Sequence, residues 1–336
     1  MSALPVTQVR LRAYPTGPVG PETWQITHDA PTAPGPNQVL LQMHMLSIDP
    51  GMRGWISPKR SYMPPVKPGE VMRGFGVGTV LESQAKAFAP GDVVTGLTGI
   101  QTTGVVDAMF LRKIDLAVAP ASSHLSGLGM TGFTAYFGLL DIGKPKAGQT
   151  VVVSAAAGAV GSMACQIAKI QGCRVVGIAG GADKCAYLRD VLGLDAVIDY
   201  KTDDLGAALK AAAPGGVDLY FDNVGGAVLD TVLMQIKHHA RVVLCGGISQ
   251  YGSMQHARGP ANYLQLIAQS ATMQGFTMMD FMHRVPEAQA QILAWQQAGQ
   301  LQFRQHVLHG IECFPQAFDM IFSGANQGKL LIDLQA

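Results

Sequence analysis

The chain has 336 residues, 48% of them hydrophobic and 14% charged, with a formal net charge of +1. That length exceeds one comfortable core, so two domains are expected, and near-neutrality excludes the basic footprint of a nucleic-acid binder. No apolar run reaches the roughly eighteen residues a membrane span needs, and Met1–Arg12 alternates polar and apolar residues without a signal-peptide core, which together point to a cytoplasmic protein.

The first 120 residues or so are rich in Gly and Pro and carry short alternating runs, among them Val39–Met45, Phe75–Leu81 and Val93–Gly96. Turn-bounded runs of this kind predict an all-β, barrel-like domain. From about Leu125 the texture changes to strand and helix alternating at the spacing of β-α-β units. Thr150–Ser154 is a short β-branched run. Behind it, Val160, Met163, Ala164, Ile167 and Ala168 fall on one face of a helix. Arg174–Ile178, Ala196–Asp199, Asp218–Phe221 and Arg241–Cys245 read as further strands, with helices near Lys184–Leu192, Leu205–Ala213, Val228–Lys237 and Pro286–Gln297. A last strand is expected at Gly328–Leu334. The whole is an α/β chain with a doubly wound parallel sheet.

Between the first strand of that sheet and its helix lies Ala155–Ser162, in which Ala156, Gly158 and Gly161 take the places of the three glycines of a dinucleotide-binding fingerprint. A glycine at 158 lets backbone approach a pyrophosphate, a glycine at 161 lets the helix pack on the sheet, and the helix N-terminus supplies free N–H groups. At the end of the second strand, where NAD enzymes usually place an acid on the ribose, stand Gly180, Gly181 and Lys184. Two glycines leave room there and a lysine attracts a 2′-phosphate, so NADPH is the expected cofactor. The plainer alternative makes Lys184 an ordinary solvated residue of the first helical turn. Asp183 beside it either opposes the phosphate or caps the helix.

The five cysteines (Cys165, Cys173, Cys185, Cys245 and Cys313) form no C-x-x-C pair, and the first 164 residues have none. Neither a disulfide framework nor a cysteine-built structural zinc site is expected.

Met130–Gly161, Phe221–Gly226, Cys245–Tyr251, Leu46–Arg53 and Gly324–Lys329 together resemble the zinc-free medium-chain dehydrogenase/reductase superfamily, in particular the branch of prostaglandin, alkenal double-bond and curcumin reductases. The resemblance spans nearly the whole chain. It implies a GroES-like β-barrel domain at 1–124, completed by 299–336, around a Rossmann domain at 125–298, and a homodimer built by pairing sheet edges. It further implies that Gly158, Ala159, Val160 and Gly161 hold the pyrophosphate and that Lys184 and Tyr200 flank the 2′-phosphate. Asn223, the backbone of Cys245, Gly246, Gly247, Ile248, Ser249 and Tyr251, the segment Phe276, Thr277 and Met278, and Asn326 would line the nicotinamide half. Gly51 departs from the family's Asp-Pro-Tyr-Met-Arg and removes an aromatic ring, which bears on substrate range.

Zinc alcohol dehydrogenases of that superfamily need an N-terminal Cys and a Gly-His-Glu. This chain has neither, and His28, His44 and His124 stand isolated. Without a Lewis acid, direct alcohol oxidation is poorly supported. Hydride delivery to a conjugated double bond needs no metal; it needs a donor for the enolate oxygen and a proton for the α-carbon. Tyr251 is the candidate donor, its alternative role being packing. Asp49 and Arg53 either orient each other near the cleft or form a domain-scaffold ion pair. Tyr136 is a packing residue at the entry to the nucleotide domain, and Met273–Met282 is either an adaptable pocket wall or a dimer face. The expected activity is NADPH-dependent reduction of enones and enals; the alternatives are a zinc-free quinone reductase and a non-catalytic NADPH-binding protein.

Overall fold

The structure is a computed structural model that describes residues 6–59, 61–252 and 257–335. It divides into two compact units, 1–126 with 305–336, and 127–304. The divisions at Ser126/Gly127 and Arg304/Gln305 lie slightly C-terminal to the 124/125 and 298/299 expected from sequence.

In the first unit, β1 (Val6–Leu11) and β2 (Trp24–Asp29) make an antiparallel pair. Then come β3 (Gln38–Ser47), β4 (Phe75–Ser83), β5 (Val93–Leu97), β6 (Thr103–Asp107) and β7 (Leu111–Lys113). After the second unit's β8 (Thr150–Ser154), β9 (Arg174–Ala179), β10 (Ala196–Asp199), β11 (Val217–Asp222), β12 (Ile236–Leu244) and β13 (Thr272–Gly275), the chain returns to the first unit as β14 (Gln305–His309) and β15 (Lys329–Asp333). These complete a mixed seven-stranded sheet in the order β14-β15-β3-β4-β5-β7, with β6 also pairing β3. Only β14 and β15 run parallel there, because a helix, Phe314–Ser323, intervenes between them.

The second unit holds a six-stranded sheet in the order β10-β9-β8-β11-β12-β13, every adjacent pair parallel. The order reverses between β8 and β11, so the carboxyl ends of these two strands form the switch point at which doubly wound folds bind ligands. The near-continuous Val and Ile runs of β8 and β9 follow from burial on both faces. Val152, Val176, Ile178, Ile198, Tyr220 and Val242 enter one core with Leu209, Leu229 and Val232. The alternating positions Val151, Val153, Val175, Leu219, Phe221 and Val243 are equally buried and point to the opposite face.

Two expectations need correction. The helix expected to run to Lys237 spans Gly226–Leu233, and Ile236 already starts β12. Gln235 marks the change, its backbone N–H bonding Val232 O and its side-chain amide Gly206 O. The helix near Lys184–Leu192 is regular only over Ala182–Ala186 and continues as a wider π-type turn through Val191.

Candidate active site

The pyrophosphate end is built from β8 and the helix Ala159–Ile170. Ala156 extends the ladder by donating to Ile178 O, 3.0 Å, and Gly158, in extended conformation, is the N-cap of the twelve-residue helix with no capping side chain. The amides of Ala159, Val160 and Gly161 therefore open the helix without intrahelical acceptors. A Cβ on Gly161 would stand 2.3 Å from Ala155 O, so only glycine lets the helix sit this close to the turn. These positions fit a diphosphate.

At the end of β9 the structure corrects one detail. Gly180 does not leave an open space: a Cβ there would lie 2.7 Å from the Tyr200 ring, so that half-exposed ring fills the place of a side chain. Gly181 has open space around it and φ +98°. Its N–H donates to Asp199 Oδ1, which also accepts from Lys201 N, both at 3.0 Å. The acid at this end of the sheet is thus engaged by backbone. Gly181 is also the N-cap of the helix Ala182–Ala186, with no side-chain cap, so Asp183 sits in the first turn without capping it. Around Lys184 the field is cationic. Burial first, and then the charges of Lys201 and Arg304, lower its pKa. A 2′-phosphate relieves that crowding, and the residue set fits NADP.

The ends of β11 and β12 carry two turns laced together. Ile248 N and Ser249 N donate to Asn223 O and Val224 O, and Ser249 Oγ donates to Val224 O at 2.6 Å. Asn223 is fixed against β8: its N–H donates to Ser154 Oγ at 2.9 Å and its amide to Ser154 O at 2.7 Å. Cys245 N and Gly246 N donate to the carbonyl of Asp222. Burial, with Asp222 nearby, pushes the Cys245 thiol up to about 12, so it is a neutral lining group.

Tyr251 ends the short helix Ile248–Tyr251 and folds back over this turn. Its hydroxyl oxygen accepts from Gly247 N–H at 3.3 Å, which leaves the hydroxyl hydrogen to donate elsewhere. Burial raises its pKa, against the hydrogen bond from Gly247. The phenol therefore keeps its proton at neutral pH.

Other expected site residues are placed differently. The Phe276 ring packs on Gly138, where a Cβ would lie 2.5 Å from it, and meets Phe281 edge-on. Met278 is buried, while Met279 and Met282 are exposed. Thr277 Oγ donates to Asp280. Asn326 belongs to the first unit and donates to Gly328 O at 2.9 Å. In that unit too, Asp49 pairs with Lys329 and accepts from Ser47, whereas Arg53 donates to Gly17 O; Asp49 and Arg53 are not paired with each other, and the scaffold ion pair at Asp49 is with Lys329. Tyr136 donates to Glu287 and packs against Phe137 and Trp295. His28 and His44 bond Thr7 and Thr79, and His124 bonds Asp115 O. Among the described residues no three His, Cys, Asp or Glu side chains are grouped to hold a metal ion.

Sequence reasoning missed Asp222 as an individual residue. It is fully buried at the end of β11 and gathers hydrogen bonds from four groups of the site. The available signal was an acid ending an otherwise apolar strand, Val217–Asp222.

Comparison with known proteins agrees with this architecture. A family of N-terminal domains of oxidoreductases matches residues 7–114, and a family described as zinc-binding dehydrogenase matches residues 159–295. An NADPH-dependent curcumin reductase of Escherichia coli (strain K12) is 41% identical over 96% of this chain and 95% of its own. A 2-alkenal reductase (NADP(+)-dependent) of Nicotiana tabacum is 39% identical over 97% and 96%. The crystal structure of CurA from Vibrio vulnificus in complex with NADPH superposes with a TM-score of 0.92, at 40% identity over 98% of this chain and 99% of that one. With the glycine-bounded helix, the doubly wound sheet and relatives matching from end to end, the chain belongs to the medium-chain dehydrogenase/reductase superfamily, in its zinc-free branch of curcumin, alkenal and prostaglandin reductases.

Proposed function

We propose that this protein reduces the carbon–carbon double bond of α,β-unsaturated ketones and aldehydes with NADPH, without a metal. One observation carries the reading: the carboxyl edge of a single sheet gathers a diphosphate-ready helix start, a cationic corner at Lys184 and a neutral phenol at Tyr251. When bound, NADPH supplies a hydride to the β-carbon of the substrate. Gly158–Gly161 hold its diphosphate, Lys184 and Tyr200 its 2′-phosphate, and Asn223 with the turn Cys245–Ser249 and Phe276–Met278 its nicotinamide half.

Tyr251 donates its hydroxyl hydrogen to the carbonyl oxygen as negative charge develops there, in the manner of an oxyanion hole. Burial suits that role, because a phenol held above its usual pKa does not ionise and repel the enolate. The enolate then takes a proton from solvent at its α-carbon, which completes the reduction.

The working assembly is a homodimer in the cytoplasm. Supporting the dimer, β13 pairs only with β12 among the described residues, and exposed Leu264, Ile267, Met279 and Met282 occur in the same unit near it in sequence. Five free cysteines suit a reducing compartment.

The test is NADPH consumption against enones, enals and simple quinones, with product analysis. Loss of the double bond is expected. Turnover of quinones alone, or tight NADPH binding with no turnover, would replace the proposal with one of the two alternatives.

A further inference from the structure

The Asp222 side chain is wholly inside the protein, yet all its hydrogen-bond partners among the described residues are neutral donors. Oδ1 accepts from Tyr220 O–H at 2.7 Å, Ser154 Oγ–H at 2.9 Å, Val224 N–H at 2.9 Å and Gly225 N–H at 3.0 Å, and Oδ2 accepts from Gly225 at 3.1 Å. Tyr220 gives its hydroxyl hydrogen to Asp222, and Ser154 has one hydrogen within reach of both Asp222 and the Tyr220 oxygen. Ser154 Oγ already accepts from Asn223 N, and burial beside Asp222 holds the Tyr220 phenol well above its ordinary pKa. Both carboxyl oxygens thus meet donors, and no acceptor that would take a carboxyl proton is among their partners in the described residues. No lysine or arginine neutralises it among the described residues. A buried anion without a counter-cation is costly to keep, and packing alone does not require one.

Its position gives it a use. The carboxylate lies beneath the turn Asn223–Gly225, and the carbonyl of the same residue anchors Cys245 and Gly246. Those are the segments assigned above to the nicotinamide half, and the inference rests on that assignment. Hydride departure takes two electrons and one hydrogen nucleus from the dihydronicotinamide, leaving that ring with one more positive charge. The substrate gains the hydride at its β-carbon and a proton at its α-carbon.

We propose that Asp222 is a fixed internal anion that holds the turn bearing Asn223 and makes the oxidised, cationic nicotinamide the better-bound redox form, so favouring hydride release. It is a positioning residue, acting through the turn and through its field. A purely structural acid would support both redox forms of the cofactor alike, whereas a charge acts on their difference, by an amount that its distance from the ring sets.

The test is equilibrium titration of the full-length protein with NADPH and, separately, with NADP+. Asp222→Asn removes the charge and keeps nearly the same shape. It should weaken NADP+ by about tenfold more than NADPH, with the same skew in the redox potential of the bound pair. Tyr220→Phe deletes one neutral donor, keeps the charge and should leave the ratio of the two dissociation constants within about twofold of native. If Asp222→Asn alone does not fold, Asp222→Asn combined with Tyr220→Phe removes the charge together with one unmatched donor and should show the same skew. Equal weakening of both redox forms in the folded charge-free variant would overturn the inference while leaving the cofactor reading intact. Native protein that binds neither form would overturn the reading and the inference with it.

Discussion

Tyr251 is where geometry and electrostatics meet at a single residue. Its oxygen accepts from Gly247 N–H, so Tyr251→Phe removes that bond together with the outgoing one and keeps the ring. A lone oxyanion donor is worth about 10²–10³ in kcat. With a cofactor hydroxyl sharing the oxygen, a loss of roughly 10–100-fold is expected, with NADPH affinity little changed. Single-turnover hydride transfer to a small enone measures this, and an unaltered rate would make Tyr251 a packing residue. Because burial raises the pKa of the phenol, the protonated donor persists as pH rises through its ordinary value of about 10. The hydride-transfer rate of the native enzyme should therefore show no loss from phenol ionisation up to about pH 9.5, while the protein stays folded. Lys184 makes a second residue-scale claim. Lys184→Ala should shrink the preference for NADPH over NADH in kcat/KM by about 10–100-fold, the worth of one charge-assisted bond. Equal use of both cofactors by the native enzyme would contradict it.

At the scale of elements, two glycines separate helix packing from cofactor choice. Gly161→Ala drives a Cβ to 2.3 Å from a backbone carbonyl, which cannot yield without moving the helix. A loss of about 1–3 kcal/mol in stability is expected, with weaker binding of both NADPH and NADH, by thermal unfolding and titration. In Gly180→Ala the atoms nearest the new Cβ belong to the Tyr200 ring, which can swing outward. Stability should hardly change, and NADPH should suffer more than NADH. This contrast also shows what the sequence conceals. The strands β8 and β10 and the fingerprint turn were legible because β-branched runs and glycine spacing are local signals. That Tyr200 fills the space of Gly180 was not, since that contact joins residues on two different strands' ends. The overrun of the helix ending at Leu233 has a similar cause: Val228, Val232 and Ile236 keep helical spacing across its end, and no Gly or Pro marks the stop. Asp49 and Lys329 illustrate the longest range, since nothing local tells an acid that its partner comes from β15 near the end of the chain.

For the whole molecule, a metal-free reduction goes with a paired assembly. Exhaustive chelation should leave activity unchanged; loss that zinc restores would refute metal independence. Sedimentation should find a dimer, and Ile267→Glu, placing a charge at an exposed isoleucine, should shift it towards monomer. The central claim, however, is where the hydride lands. The direct measurement is turnover of a simple enone with NADPH deuterated at the transferable position, followed by NMR of the product. The account predicts a saturated ketone with deuterium on the β-carbon and none on the carbonyl carbon. Deuterium on the carbonyl carbon, with the double bond intact, would contradict it.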